Sequence, residues 1–298
     1  MRKARRQLAV RIWCLWVGCI GALTIWLYSS ALSQRESITV KGSDTMVILN
    51  QRWAEEFMKK HPNATVQVTG GGSGIGIAAL INGTTDICAA SRPMKPKEIE
   101  ALKERYGGEP VKFEVALDGI SIYVHPKNKV KVLTLEQLRR IYTGEVNDWK
   151  EVGGAPGRIV RYGRENTSGT YEFLKEHVLK GADFTDDYQA LPGTAAVVNA
   201  VSKDRLGIGY GGIAYVRGVR VVSLREDEKS PAYAPTEENV RKGLYPLSRP
   251  LFFYTAKPPT GLIKQFIDFA LSPEGQKLVM EVGFIPIRPI KGAPKQKR

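Results

Sequence analysis

Three short segments of the 298-residue chain combine glycine with small hydroxyl residues just before a helix-like stretch. They read KGSDTM, GGGSGIG and GRENTSGTYEF. At a helix N-terminus the first backbone N–H groups have no partner, and the positive end of the helix dipole lies there. Glycine lets an anion approach these groups, and Ser or Thr adds hydroxyl donors. The pattern therefore indicates oxyanion binding, with ordinary capping as the alternative for each segment taken alone.

The glycine-rich segment does not fit the known nucleotide motifs. A dinucleotide fingerprint needs glycine at relative positions one, three and six, and after Gly72 and Gly74 the sixth position holds Ile77. A P-loop ends in Gly-Lys-Ser/Thr, and no lysine follows these glycines. Ser73 also lacks the Gly-x-Ser-x-Gly context of a hydrolase nucleophile, because Ile75 takes the last place. We expect a binding protein without metal or cofactor, and a phosphatase stays the alternative from another class.

The charge balance favours an anionic partner. Lys and Arg number 44 against 30 Asp and Glu, which gives a net charge of +14. Five basic residues lie in the opening MRKARRQLAVR, so about +9 remains on the rest. Such a balance suits nucleic acid, anionic lipid or a small acidic ligand, and solubility is the plain alternative. No basic run interleaved with aromatic residues appears outside the chain ends, so we do not expect nucleic-acid binding.

The N-terminal segment predicts export. A basic flank precedes residues 12–33, which carry no charge. This arrangement is typical of a secretory signal or of a membrane anchor, and residues 12–32 are long enough to span a bilayer. We assign residues 1–33 to a signal peptide or a membrane anchor, with the choice open. The rest of the chain is expected in the periplasm or on the outer face of the cytoplasmic membrane. Only Cys88 follows this segment, so no disulfide is expected in the folded part.

The remaining chain alternates between two hydrophobic periods. Strand-like stretches such as SITVK, TVQVT and LGIGY are followed by helix-like stretches such as AAVVNAVSK. Strand–helix alternation predicts an α/β fold with parallel sheets. The length is sufficient for two such units.

An ordered set of motifs resembles the phosphate-binding proteins of phosphate ABC transporters. It comprises the R-x-x-x-S-G-T pattern at Arg164 and Ser168–Thr170, together with GSDTM, GGGSGIG, DICAASRPM, ALDGISIYVHP, LGIGYGGIAYV and SPEGQKLVMEVGFIPI. The resemblance implies a type II periplasmic-binding-protein fold, in which two α/β lobes joined by two crossing strands close on the ligand. The crossings are expected near DGISIYV and RPLFFYT. Lobe 1 would comprise residues 34–119 and 251–298, and lobe 2 residues 120–250.

The resemblance also implies which residues hold the anion. Ser43 would supply a hydroxyl, with the backbone N–H groups of Asp44 and Thr45, and Ser73 would do the same with the N–H of Gly74. From the other lobe the ligand would be covered by Ser168, Gly169 and Thr170. Arg164 would set its guanidinium against the anion, where a planar fork can give two hydrogen bonds. The alternative interpretation is that Arg164 lies on the surface and caps the turn formed by Thr167–Thr170.

One position departs from the family pattern. Where family members carry an Asp after the Ser of an ASD-type motif, this chain has Ser91 followed by Arg92. That Asp accepts the proton that distinguishes monohydrogen phosphate from sulfate, and an arginine cannot accept a proton. Asp44 and Asp118 are the candidates to replace it. Arg92 is expected either to add charge to the site or to broaden it to other tetrahedral anions.

The resemblance implies that this chain captures inorganic phosphate and delivers it to a membrane permease, and we expect a monomer. Sulfate or molybdate binding and a membrane-tethered anion sensor stay open as alternatives.

Overall fold

The computed structural model describes residues 36–289. The expected signal or anchor at residues 1–33 therefore lies outside the described residues. Within the described range, none of the helices has both the length and the hydrophobicity that a membrane crossing requires.

The described residues form ten strands and nine α-helices. The strands are β1 Glu36–Gly42, β2 Ala64–Thr69, β3 Ile87–Ala90, β4 Val111–Val124, β5 Val132–Thr134, β6 Val160–Arg164, β7 Gln189–Leu191, β8 Gly207–Gly212, β9 Arg220–Arg225 and β10 Ser248–Thr255. The helices are α1 Val47–Lys60, α2 Ser73–Asn82, α3 Pro96–Tyr106, α4 Leu135–Tyr142, α5 Gly169–His177, α6 Gly193–Lys203, α7 Glu237–Arg241, α8 Gly261–Leu271 and α9 Pro273–Val282. The predicted alternation of strands and helices is confirmed.

The sheet is mixed, so the predicted parallel pairing is found for the outer strands but not for the central ones. Its strand order is β2-β1-β3-β10-β4-β8-β6-β7, with β9 pairing β4 and β5. The outer pairs are parallel, but β10 runs antiparallel to both β3 and β4, and β4 runs antiparallel to β8 and β9. Hydrophobic periodicity shows that a strand is buried but carries no information on its direction, which is why the central strands were misjudged.

Strand β4 passes from one half of the molecule to the other. Residues 111–119 pair with β10, and residues 120–124 pair with β8. This strand contains the DGISIYV segment at which a crossing was expected. The other expected crossing segment, RPLFFYT, lies in β10 beside the first half of β4, and the two segments are paired only at Asp118 and Arg249.

Two main hydrophobic cores lie on either side of this passage. One packs α1, α8 and α9 against β1, β2 and β10, and the other packs α4 and α5 against the second half of β4 with β8 and β9. We call these halves the first and the second lobe. The boundaries expected at 119/120 and 250/251 stay predictions, because side chains near the passage are shared. Leu117 and Ile285 pack on the second core, while Ile213 packs on the first.

Trp53 ties the chain's early and late segments together in the first lobe. Its side chain is fully buried, its ring lies 5.5 Å from that of Phe253, and its Nε1–H donates to the Gly275 carbonyl at 2.8 Å. The elements α1, β10 and α9 therefore meet at this one side chain. Its indole N–H satisfies a buried carbonyl that would otherwise have no hydrogen-bond donor.

The start of α3 depends on a buried ion pair. The Arg92 Nη1 and Nη2 atoms donate to the two Glu98 carboxylate oxygens at 2.8 and 2.7 Å, and the Lys95 N–H donates to the same carboxylate at 2.7 Å. Burial alone would raise the pKa of Glu98, but these hydrogen bonds outweigh it and hold that pKa below its ordinary value of 4.5.

We expect Trp53→Phe to lower the free energy of unfolding by about 1–3 kcal/mol, because it leaves the Gly275 carbonyl without its donor. Urea unfolding followed by circular dichroism measures this. Val132→Thr is the control, since this isosteric change lies at an exposed position and should stay within about 0.5 kcal/mol. Superimposable curves for wild type and Trp53→Phe would contradict the role of Trp53.

Glu98→Gln should lower stability in a pH-dependent way. Because the folded-state pKa of Glu98 is lowered, its carboxylate stabilises the fold above the unfolded-state pKa, and this contribution is lost as the pH falls through the folded-state pKa. The stability difference between wild type and variant should therefore be largest near pH 6 and shrink below 4.5. Glu100→Gln, exposed on the same helix, is the control. A difference that stays constant from pH 6 to pH 3 would refute the effect.

Candidate functional site

Three serine hydroxyls of the first lobe meet at one edge of the sheet. Strands β1 and β3 are parallel neighbours, so Ser43 and Ser91, which follow them, lie side by side. The two hydroxyls are 2.9 Å apart, and the hydroxyl of Ser73 at the start of α2 lies 3.3 Å from that of Ser91. The Ser91 N–H also donates to the Ser73 Oγ at 3.0 Å. All three side chains are buried. We call Ser43, Ser73 and Ser91 the serine cluster.

The N-terminus of α5 brings the second lobe against the serine cluster. Ser168 caps this helix, since its Oγ accepts from the N–H groups of Thr170 and Tyr171. A Cβ added at Gly169 would lie only 2.5 Å from the Ser73 Oγ and 2.8 Å from the Ser91 Oγ. Any side chain at position 169 would therefore force these groups apart. The positive end of the α5 dipole therefore lies beside the hydroxyls of the serine cluster.

A pair of threonines extends this contact between the lobes. The Thr45 and Thr170 hydroxyls, one from each lobe, are 2.9 Å apart. Both side chains are buried. Hydroxyls of both lobes therefore share one buried volume.

The glycine-rich segment serves the contact between the lobes. Gly72 has a φ of 99°, and a Cβ there would meet the Thr167 carbonyl oxygen at 2.5 Å. The Gly74 N–H donates to this carbonyl at 2.9 Å. The resemblance assigned that N–H to the anion, whereas in this structure it joins the lobes.

Arg164 and Asp44 form an ion pair that also spans the lobes. The Arg164 Nη2 donates to the Asp44 carboxylate at 2.5 Å, and its Nη1 donates to the Thr194 hydroxyl at 3.0 Å. The other Asp44 oxygen accepts from the Gly71 N–H. The buried Nε–H of Arg164 has no acceptor among the described residues. This guanidinium therefore retains donors for a ligand, its Nε–H among them.

A second arginine at the site, Arg249, was missed by the sequence analysis. It stands at the start of β10, almost fully buried, and its Nε and Nη2 donate to one Asp118 oxygen at 3.1 and 2.9 Å. Its Nη1 donates to the Ser91 carbonyl at 2.8 Å, and its Nη2 also donates to the Thr170 hydroxyl at 2.9 Å. The only signal in the sequence was a charged residue opening the apolar run RPLFFYT.

Arg92 differs from its expected role. Two of its terminal nitrogens are taken by the Glu98 carboxylate, and Nη1 also donates to the Pro93 carbonyl. The physical reason is that a guanidinium pairs bidentately with a carboxylate wherever the fold supplies one, and α3 supplies Glu98 in its first turn. Of its three nitrogens, Nε alone makes no hydrogen bond within residues 36–289.

The electrostatics of the site suit an anion rather than a metal. Within residues 36–289 no three His, Cys, Asp or Glu side chains come together as a metal site would require. Both carboxylates near the serine cluster, Asp44 and Asp118, are paired with arginines. Hydroxyls, backbone N–H groups and guanidinium donors remain, and together they can enclose an oxyanion.

The lobes are in contact in this structure. Besides the pairs already described, the Lys95 ammonium donates to the Glu172 carboxylate at 2.6 Å at the rim of the site. The Tyr215 hydroxyl donates to the Asp44 carbonyl at 2.8 Å. The cleft is therefore closed over the serine cluster.

Residues 29–274 match the family model described as the PBP superfamily domain. The phosphate-binding protein PstS of Pseudomonas aeruginosa is 35% identical over 285 residues, which cover 90% of this chain and 88% of that protein. PstS of Bacillus subtilis is 31% identical over 261 residues, covering 86% and 82% respectively.

Solved structures agree with these relatives. A phosphate ABC transporter substrate-binding protein from Clostridium perfringens, solved with bound phosphate, has a TM-score of 0.77 at 33% identity and covers 85% of this chain and all of its own. An ABC-type phosphate transport receptor from Vibrio cholerae has a TM-score of 0.68 at 30% identity, covering 83% and 99%. These relatives are named as binding and transport proteins rather than as enzymes. The chain therefore belongs to the PBP superfamily and, within it, to the family of PstS phosphate-binding proteins.

Proposed function

We propose that this protein captures inorganic phosphate between its two lobes and delivers it to the membrane permease of an ABC transporter. The observation that carries the proposal is the approach of α5 to the serine cluster, where a Cβ at Gly169 would collide with two hydroxyls of the other lobe. A tetrahedral ion needs donors on every side, and only the closed pair of lobes supplies them. The names of the PstS relatives and the phosphate bound in the Clostridium perfringens structure support phosphate as the ion.

Burying a doubly charged ion is costly unless its lone pairs are all met by donors. The proposed donors are hydroxyls, backbone N–H groups at helix starts and N–H groups of a guanidinium. They come from Ser43, Asp44, Thr45, Ser73, Ser91, Arg164, Ser168, Gly169 and Thr170. The Gly74 N–H, which the resemblance also assigned to the anion, is taken by the Thr167 carbonyl in this structure. Some of these groups bond to one another in this structure, and phosphate would replace those bonds with stronger, charge-assisted ones. We expect Arg92 to contribute little, because Glu98 and the Pro93 carbonyl hold its two terminal nitrogens.

Selectivity against sulfate depends on an acceptor for the phosphate proton. Asp118 accepts from two Arg249 nitrogens and from the Ile213 N–H, whereas Asp44 accepts one hydrogen bond on each oxygen. Asp44 keeps more lone pairs and is partly accessible, so we propose that it accepts this proton. Arsenate, which is protonated like phosphate, should then bind similarly, and sulfate and molybdate more weakly. Equal binding of all four ions would favour a general oxyanion-binding protein.

The proposed location is outside the cytoplasmic membrane. It is supported by the basic and then uncharged N-terminal segment, which lies outside the described residues. The mass of the protein recovered from cells distinguishes a cleaved signal from a retained anchor at residues 12–32. Full-length protein in the cytoplasmic fraction would refute export. We propose that the exported protein acts as a monomer.

Gly169→Ala should weaken phosphate binding about tenfold or more, because the new methyl group overpacks the closed site and overpacking costs about 1–3 kcal/mol. The open protein should fold normally, since the clash exists only when the lobes meet. Isothermal titration with phosphate measures the affinity, and thermal unfolding without phosphate checks the fold.

Gly108→Ala is the matched control, because a Cβ there meets nothing within 4 Å and its φ is not positive. It should bind phosphate as the wild type does. Unchanged binding by Gly169→Ala would refute the closed site, and absence of binding by the wild type would refute the proposed function.

A further inference from the structure

We infer that Arg249, held in place by Asp118, is a further anion-binding and positioning residue of the site, and that it connects the strands between the lobes to the ligand. The inference rests on the proposed function, since it names a further residue of the same site. Neither the R-x-x-x-S-G-T pattern nor the other motifs of the sequence point to this residue.

The guanidinium is fixed from the side of β4. Asp118 lies in β4 directly before Gly119, the last residue of that strand that pairs with β10. In this antiparallel pairing Arg249 of β10 lies opposite Asp118. Asp118 is fully buried and accepts on one oxygen from Arg249 and on the other from the Ile213 N–H. Gly212 leaves room for this carboxylate, because a Cβ there would lie 3.1 Å from its Oδ1. The ion pair therefore connects β4 with β10 at the point where β4 passes between the lobes.

The same guanidinium reaches both lobes. On the first lobe it donates to the Ser91 carbonyl, and on the second it donates to the Thr170 hydroxyl and lies over the Phe173 ring, with Cζ 5.6 Å from the ring centroid. An arginine nitrogen can only donate, so the Thr170 oxygen accepts here and its proton is available to Thr45 or to an anion. Arg249 therefore sets how the α5 N-terminus presents its hydroxyl when the lobes close.

One donor of Arg249 is left for the ligand. A guanidinium carries five N–H groups, and hydrogen bonds to Asp118, Ser91 and Thr170 occupy four of them. The fifth is on Nη1, the nitrogen bonded to Ser91 of the serine cluster, and has no acceptor among the described residues. Because Asp118 neutralises the charge, Arg249 offers the anion a directed donor without adding net charge to the buried site.

The test compares this pair with another arginine–carboxylate pair, which does not touch the hydroxyls. Phosphate affinity is measured by titration for wild type, Arg249→Lys, Asp118→Asn and the double variant. Arg161→Lys and Asp187→Asn are the controls, because Arg161 is also fully buried and pairs with Asp187 inside the second lobe. Small-angle scattering with and without phosphate measures lobe closure for each variant.

Arg249→Lys should weaken phosphate binding by roughly 10- to 100-fold and reduce the compaction that phosphate causes. Asp118→Asn should act in the same direction, and the double variant should be no weaker than Arg249→Lys alone, because Asp118 acts through Arg249. The controls should keep wild-type affinity within about twofold, even where they lower thermal stability. Phe173→Leu, which removes only the ring beneath Arg249, gives a milder second test with an expected loss of a few-fold.

Independent, additive losses would refute the positioning role of Asp118. Arg249→Lys affinities no different from those of Arg161→Lys would refute the inference alone, with the proposed function intact. A wild type that does not bind phosphate would refute both.

Discussion

The N-terminus of α5 lies against the serine hydroxyls of the opposite lobe, and the rest of the structure serves this contact. Parallel pairing of β1 and β3 places Ser43 and Ser91 together, and the glycine-rich turn starts α2 beside them. Gly169 permits the approach because it carries no side chain. The contact joins helix N-termini and hydroxyls, which are all suited to donate to an oxyanion. It is complete only when the two lobes meet.

The charges around this contact are arranged in pairs. Arg249 with Asp118, Arg164 with Asp44 and Arg92 with Glu98 each neutralise one another. A buried pair stabilises a fold only weakly, but removing one partner leaves a costly uncompensated charge. These pairs therefore fix directions more than they add charge. The anion would be held mainly by dipoles and directed N–H and O–H groups, with a nearly neutral surrounding.

Local patterns in the sequence predicted the elements well. Ser43, Ser73 and Ser168 could be singled out because a helix start is a local feature, written in glycine and hydroxyl residues before an apolar run. The structure brings these residues together, although their roles toward an anion stay proposals. The α/β alternation was predictable for the same local reason.

Long-range pairing was not predictable from one sequence. Arg249 and Asp118 are 131 positions apart, and nothing local to either residue indicates the other. The antiparallel direction of β10 was missed because the strand returns to the sheet after the whole second lobe. Arg92 was expected at the anion because it follows Ser91, where family members carry an Asp. Nothing in the sequence indicates that it pairs with Glu98, because that pair forms only once α3 is folded. In each case the deciding interaction joins residues or strands that come together only in the folded chain.

A crystal structure of the phosphate complex would show whether the ion is held between the serine cluster and the start of α5. We expect one phosphate ion whose oxygens lie within hydrogen-bonding distance of the serine cluster. At the same time they should lie within this distance of the N–H or O–H groups of Gly169 and Thr170 at the start of α5. A phosphate bound to one lobe alone, or found away from this contact, would contradict it.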